Sequence, residues 1–337
     1  MNIGIVGAGM IVSDLLTFIK EVDGLKIEAF CGMPSDEERL KQFATENNVS
    51  KIYLDLNEML KDEAIDIVYL GVPNHLHYPL AKSSLLANKH VIAEKPFTSN
   101  HREALDLADL SKKQGKIILE GVSTRFLPNF LKIKELLPTL GDIKIVTTNY
   151  SQYSSRYDKF KEGEIAPAFS PRMSGGALLD INIYNLNFVA TLFGEPKDIQ
   201  YLANVERGID TSGILILDYG HFKCVCTGAK DCKAPLMNTI QGDKAAIVIE
   251  SSLNVMADFK YFKNDGKRGP GASDFTLHDE NNGKHRMYHE FVEFVRILKE
   301  NDVARAQELL DLSVLTMKIQ TIAREKAGVV FAADEVK

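Results

Sequence analysis

A chain of 337 residues is too long for one ordinary domain and suits two, each able to bury its own core. Hydrophobic residues make up 45% and charged residues 26%, the composition of a soluble globular protein. Forty basic against 46 acidic residues leave a formal charge of -6, which argues against a nucleic-acid or anionic-membrane partner and for small-molecule ligands.

Asn2 to Gly7 (NIGIVG) reads as an apolar strand with no basic or apolar leader before it, and no run is long enough to span a bilayer, so a cytoplasmic protein is expected. Gly7-Ala8-Gly9 follows at once and leads into a periodic helical segment. In a dinucleotide site the first glycine makes the tight turn. The second lets backbone approach the pyrophosphate, which sits on the unpaired N–H groups of the helix start. Gly7 and Gly9 fill those roles, with Met10 and Ile11 beside them as cofactor contacts. The third position, where glycine or alanine permits close helix-to-strand contact, holds Val12 instead.

The second strand, Leu25 to Cys31, ends at Gly32-Met33-Pro34-Ser35, where a site for unphosphorylated NAD would show an acid for the ribose hydroxyl. Without that acid a 2′-phosphate meets no repulsion, and Ser35 and Arg39 offer it a donor and a counter-charge. The expected cofactor is NAD or NADP, with NADP favoured. Asp36, Glu37 and Glu38 stand close by as the acidic first turn of the next helix.

Helices at Asp36 to Glu46 and Leu56 to Lys61 then alternate with strands at Lys51 to Tyr53 and Ile65 to Leu70, which predicts a parallel sheet with crossover helices. Gly71-Val72-Pro73-Asn74 ends the last of these strands, with Asn74 placed to cap the following helix and His75 and His77 on its first turn. Val91 to Ala93 is a further buried strand that delivers Glu94, Lys95 and Pro96 to the carboxyl end of the sheet, where open α/β sheets bind ligands. Pro96 fixes its own φ and bends the chain away, so Lys95 is expected on a stiff corner facing the crevice. A helix at Arg102 to Gln114 and a strand at Ile117 to Gly121, leading to Arg125, complete a doubly wound unit of six strands.

GIVGAG, GVPNHLH and ANKHVIAEKPF, in this order and at these intervals, resemble the Gfo/Idh/MocA oxidoreductases, the family of glucose-fructose oxidoreductase and inositol dehydrogenase. The resemblance is close over roughly the first 125 residues. It implies a nicotinamide-dependent fold with Lys95 at the active site, a peptide before Pro96 that is often cis, and Pro73, Asn74, His77 and Glu94 lining the cofactor. It also implies a second domain built on an open, mainly antiparallel sheet whose exposed face makes a homodimer or homotetramer. The expected architecture is therefore α/β, with a Rossmann domain over residues 1–122 and an α+β substrate and oligomerisation domain over 123–337, whose last helices pack back on the first.

In the second half, Ile143 to Tyr150 is a strand, and Ser151 to Pro171 reads as a polar loop bearing Tyr153, Arg156 and Tyr157. Ser174-Gly175-Gly176 opens a helical run that Gly194 stops, with Asp180 and Tyr184 four apart on one face and Asn187 near it. The family pattern is a glycine pair, an aspartate and, four residues on, a histidine or tyrosine. The resemblance thus assigns catalytic roles to Asp180 and Tyr184, in the manner of the tyrosine-bearing branch. Asn182 replaces the glycine usual between them. Strands follow near 198–205, 213–218, 222–227, 237–241 and 245–250, joined by short turns that indicate antiparallel pairing. Cys224 and Cys226 share a face with Phe222 and read as packing residues. Asn264 to Ser273 is a glycine-rich loop with a solvent-facing basic pair, and helices follow at Lys284 to Glu300 and Val303 to Lys326. His285 and His289 lack a third ligand, so no metal is expected.

Tyrosine and lysine both have ordinary pKa values of roughly 10, so neither alone is a ready base near neutral pH. An ammonium beside a phenol favours phenolate, and a carboxylate can hold the lysine, so the three groups share one proton as a coupled unit. Tyr184 is then the general acid/base, Lys95 the group that polarises the substrate oxygen, and Asp180 the group that orients them. An equal alternative makes Lys95 itself the proton carrier. From the resemblance, the expected activity is hydride transfer between nicotinamide and a secondary alcohol or carbonyl of a sugar, polyol or related hydroxylated ring. Arg125, Tyr153, Tyr157 and Arg172 are candidates to meet its hydroxyls. A nicotinamide-binding regulator of the same fold, without turnover, and a structural or interaction protein that keeps only the fold are the competing readings.

Overall fold

In the computed structural model, which describes residues 1–264, 266 and 274–335, six apolar runs form the first sheet. They are β1 (Asn2–Val6), β2 (Lys26–Cys31), β3 (Lys51–Tyr53), β4 (Ile67–Leu70), β5 (His90–Glu94) and β6 (Ile118–Gly121). Every pairing is parallel and the order is β3-β2-β1-β4-β5-β6. Parallel strands need crossovers, and α1 (Met10–Leu16), α2 (Glu37–Asn47), α3 (Leu56–Leu60), α4 (His77–Leu86) and α5 (His101–Gln114) supply them. Burial on both faces explains why the strands read as unbroken apolar runs, with Ile3, Ile5, Val68, Leu70, Val91 and Ala93 all in the interior. The strand order reverses between β1 and β4, which places a ligand crevice at their carboxyl ends.

Two local expectations are corrected here. Asn74 does not cap α4: it opens a 3₁₀ turn, Asn74–Leu76, that precedes the helix, and neither start has a side-chain cap. Asp36 is not in the first turn of α2. It closes the preceding turn, Pro34–Asp36, where its carboxylate accepts from Met33 N at 3.0 Å.

The second unit begins with α6 (Pro128–Leu136) and the long strand β7 (Ile143–Ser151). The segment expected as a loop contains the short helix α7 (Tyr157–Glu162), whose Phe160 is buried against Phe169 with ring centroids 4.9 Å apart. The single helix expected from Ala177 to Gly194 is two, α8 (Ala177–Asp180) and α9 (Asn182–Phe193), separated at Ile181. Then come β8 (Asp198–Glu206), β9 (Ile209–Asp218), β10 (Lys223–Ala229), β11 (Asn238–Gly242), β12 (Ala245–Ile249), β13 (Phe259–Lys263) and β14 (Phe275–His278). The eight strands run β14-β13-β12-β11-β7-β10-β9-β8. All neighbours are antiparallel except β7 and β10, which places β7 between two strands expected to be sequential partners. Cys224 and Cys226 are buried and unbridged, and burial pushes the Cys226 thiol up to about 12. The basic pair Lys267 and Arg268 lies outside the described residues.

Two helices end the chain, α10 (Tyr288–Glu300) and α11 (Val303–Lys326). His285 precedes α10, so the pair His285 and His289 does not share a helix turn. The chain forms two units, Met1–Gly121 with Met287–Met317, and Val122–Arg286 with Lys318–Lys337. In the first, Phe291 of α10 packs on Phe18 and Tyr69. In the second, Gln320 of α11 donates to Leu178 O at 3.1 Å.

Candidate active site

The candidate cofactor cradle has two glycines that face each other at the ends of β1 and β4. Gly7 has φ +113, and a Cβ there would strike the carbonyl of Gly71. A Cβ on Gly71 would in turn stand 2.8 Å from Val12 Cγ2. The third fingerprint position therefore tolerates valine because the missing side chain lies on the neighbouring strand end. Val12 is fully buried, while nothing lies within 4 Å of a Cβ on Gly9, the residue before α1, and Met10 is 72% exposed. This is a backbone ledge with open space above the helix start, and it fits a pyrophosphate. Ile11 is half-buried beside it.

At the end of β2, Met33, Ser35 and Arg39 are exposed. Arg39 donates from Nη2 to Ser13 Oγ of α1 at 3.1 Å and from Nη1 to Gln42 at 2.8 Å, and its guanidinium lies 4.6 Å from the centre of the Phe43 ring. The cation is thus tethered next to the glycine loop, and Asp36, the nearest acid at the strand end, is turned into its own loop.

His77 joins the other two motifs. It is 1% exposed, with Nδ1 2.7 Å from Pro96 O and Nε2 2.9 Å from Val72 O. Burial holds its pKa below the ordinary value, which favours a neutral ring and one donated bond. Both nitrogens face backbone carbonyls, so His77 ties the loop after β4 to the loop after β5. Pro73 is exposed and Asn74 half-buried in the first of these loops.

The second loop is a pedestal. From Ala93 to Asn100 every residue is buried except Lys95. Phe97 N donates to Glu120 Oε1 at 3.0 Å, and Glu120 Oε2 accepts from Ser313 Oγ at 2.6 Å. Ser99 N donates to Glu103 at 2.9 Å, and Asn100 caps α5 by accepting from Glu103 N at 3.0 Å. Glu94 is buried and accepts from Tyr69 OH at 2.8 Å. The Lys95–Pro96 peptide is cis, as the motif implied.

In the second unit, Tyr184 is 8% exposed and packs with Val122, Ile183 and Tyr150, whose ring centroid is 5.9 Å from its own. Asp180 pairs through Oδ2 with Lys230 Nζ at 2.6 Å. The helical ladder between Asp180 and Tyr184 is interrupted, since Tyr184 N bonds to Ile181 O at 3.3 Å rather than to Asp180. Asn182 explains the break. Its Nδ2 donates to Cys226 O at 3.1 Å, and Asn185 donates to Thr227 O at 2.9 Å, so the start of α9 is drawn onto β10. A Cβ on Gly228 would lie 2.6 Å from Asn182 Cβ, so the glycine absent from the helix stands on the strand instead.

The candidate substrate residues separate. Arg125 is 3% exposed and donates to Asn187 Oδ1 at 2.5 Å. Tyr153 is 40% exposed and bonded to Asp158 at 2.7 Å, Tyr157 is half-buried and bonded to Glu206, and Arg172 is exposed. Lys230 and Asp210 were not singled out in the sequence. Lys230 follows β10 and Asp210 is the second residue of β9; each is an ordinary charged residue in sequence, and only the long-range pairing marks it.

The family model described as "Oxidoreductase family, NAD-binding Rossmann fold" matches residues 1–122, and that of the GFO/IDH/MocA C-terminal domain matches residues 130–248. The chain is 32% identical to scyllo-inositol 2-dehydrogenase (NADP(+)) IolU of Bacillus subtilis, over 99% of each chain. It is 28% identical to trans-1,2-dihydrobenzene-1,2-diol dehydrogenase of Mus musculus, over 66% of this chain and 67% of that one. The fold is that of KijD10, a 3-ketoreductase from Actinomadura kijaniata solved with NADP and TDP-benzene, at TM-score 0.81 and 17% identity over 97% of each chain. With both family models matched in order and a full-length relative above them, the chain belongs to the Gfo/Idh/MocA family of NAD(P)-binding oxidoreductases.

Proposed function

We propose that the protein is an NADP-dependent dehydrogenase, or in reverse a ketone reductase, acting on a secondary alcohol of a cyclic polyol, sugar or related hydroxylated ring. The observation that carries the catalytic part is Lys95, the one residue left partly exposed in an otherwise buried and hydrogen-bonded loop at the carboxyl end of β5. Two relatives are named for six-membered rings bearing hydroxyls, an inositol and a dihydrobenzenediol, which supports a ring alcohol. The phosphorylated cofactor is supported by tethered Arg39 beside exposed Ser35, and by the NADP in the name of the full-length relative.

When bound, the nicotinamide takes up the hydride or returns it. The chain handles the proton. Tyr184 takes it from the substrate hydroxyl as general base and returns it as general acid, Lys95 polarises that oxygen, and Asp180 orients the proton-transfer groups. Tyr153, Tyr157 and Arg172 are the side chains proposed to meet further hydroxyls. We place the enzyme in the cytoplasm, in keeping with its free cysteines, and as a homodimer or homotetramer through the second sheet. Exposed Leu202 and Ile214 form a cross-strand apolar pair on that sheet. Among the described residues no helix is long and apolar enough to cross a membrane.

The test is formation of reduced cofactor from inositols and sugars with NADP+ and NAD+ in parallel. Turnover on a cyclic polyol, lost in Tyr184→Phe, is expected. Tight binding of reduced cofactor without turnover in either direction would favour the regulator. Losing one charge-assisted contact costs about 2 kcal/mol, so Arg39→Ala should raise KM for NADP+ about 30-fold and leave that for NAD+ nearly unchanged.

A further inference from the structure

Asp180 closes α8, a helix of a single turn, and the hydrogen-bond ladder breaks at Ile181 before α9 begins. One turn has too few internal bonds to hold itself. Two charged side chains from the neighbouring sheet hold its two ends. At the start, Asp210 accepts from Leu178 N at 2.7 Å and from Tyr201 OH at 2.7 Å, and Gly176 leaves the room, since a Cβ there would strike Asp210 Oδ1. At the end, Lys230 meets Asp180.

Lys230 follows β10 directly, and its side chain is only 3% exposed. Its ammonium has three neighbours: Asp180 Oδ2 at 2.6 Å, Ala168 O at 2.6 Å, and the Phe169 ring, whose centroid is 4.2 Å away. Phe169 is itself fully buried. The backbone of Lys230 is fixed on both sides, its N–H donating to Thr211 O at 2.8 Å and its carbonyl accepting from Ser154 N at 2.8 Å. An ammonium taken out of water needs such partners to stay charged. Backbone, ring and carbonyl therefore define one place for Nζ, and Nζ defines where Asp180 Oδ2 sits.

We propose that Lys230 is a positioning residue for the reaction: it holds the carboxylate of Asp180 through Oδ2 in one orientation and keeps it ionised. This rests on the role given to Asp180 above. Two other carboxylates stand nearby. Asp210 feels the charge of Lys230 but is committed to Leu178 and Tyr201, and Asp231 is taken by the hydroxyls of Thr211 and Ser212 at 2.7 and 2.8 Å. Asp180 is the acid in direct contact.

The test compares Lys230→Met, Lys230→Arg and Asp180→Asn in steady-state kinetics across pH with NADP+ and the best alcohol substrate. A displaced catalytic group can cost on the order of 10²-fold, and a drop of that size is expected in kcat of Lys230→Met, with cofactor KM within about twofold. Its acid limb should move to higher pH, because a carboxylate that loses a neighbouring cation is more easily protonated. Lys230→Arg should recover part of kcat and the position of the limb. Impaired Asp180→Asn beside a Lys230→Met with wild-type kcat and acid limb would overturn the proposal alone. Full turnover in Asp180→Asn would remove the reading of Asp180 and the proposal with it. Should Lys230→Met melt below the assay temperature, Lys230→Gln, which keeps a donor without the charge, takes its place under the same outcomes.

Discussion

Lys95 sits on a loop and Asp180 on a turn of helix, yet the loop is the more thoroughly held by its own neighbourhood. Between Ser99 and Glu103 the chain closes its own bonds over four residues, and α5 begins immediately after. Asp180, in contrast, depends on Asp210, which caps Leu178 across 32 residues of chain, and on Lys230, 50 residues away. A group fixed by local bonds is announced by its own motif. A group fixed by distant strands is announced only by the fold.

The largest stability effect should come from Glu120, which ties the Lys95 loop to Ser313. Glu120→Ala leaves Phe97 N without its buried acceptor, while the Ser313 hydroxyl keeps Leu309 O at 3.2 Å, so the loss in urea unfolding should reach about 3 kcal/mol, the upper end for one such group. If it were under about 1 kcal/mol, the pedestal would be held without Glu120. Next is the packing of α9 on β10. Gly228→Ala drives a methyl against Asn182, an overpacking of about 2–3 kcal/mol, and Asn182→Gly in the same chain should recover most of it. Failure of that rescue would separate the two positions.

The smallest effect depends on pH. Burial pushes Asp210 up to about 6, against its bonds from Tyr201 and Leu178, which pull the other way. The folded state thus holds the proton more tightly than the unfolded chain. The stabilisation is present below the ordinary carboxylate pKa and lost as pH rises through about 6. Asp210→Asn, which cannot ionise, should therefore be the more stable protein at about pH 8 by about 1–2 kcal/mol and show no advantage near pH 4. Equal stabilities at both pH values would contradict the buried, proton-holding carboxyl.

Most of the first unit was legible because doubly buried strands read as plain apolar runs, with glycine and proline marking their ends. The fingerprint at Val12 looked defective only because its compensating glycine, Gly71, lies in a different motif. Asn182 and Gly228 repeat the device in the second unit, 46 residues apart in the sequence and in contact through the fold. The helix break at Ile181 was hidden for the same cause, since the carbonyls that capture Asn182 and Asn185 belong to β10. The strands β13 and β14 escaped notice because their side chains are mostly exposed or half-exposed and carry no clean alternation. Arg125 followed a strand end, the usual place for a ligand group, but the fold turns it inward to Asn187.

The most direct test of the central assignment is to measure kcat, melting temperature and reduced-cofactor affinity for Lys95→Ala beside the wild-type enzyme. Because Lys95 alone in its loop is not buried, its removal should leave folding and cofactor affinity nearly unchanged. Turnover should fall by about 10²–10³-fold, the usual worth of a group that stabilises charge developing on the reacting oxygen. Turnover within about threefold of wild type, with the same stability and affinity, would contradict the assignment and leave the buried loop without a catalytic purpose.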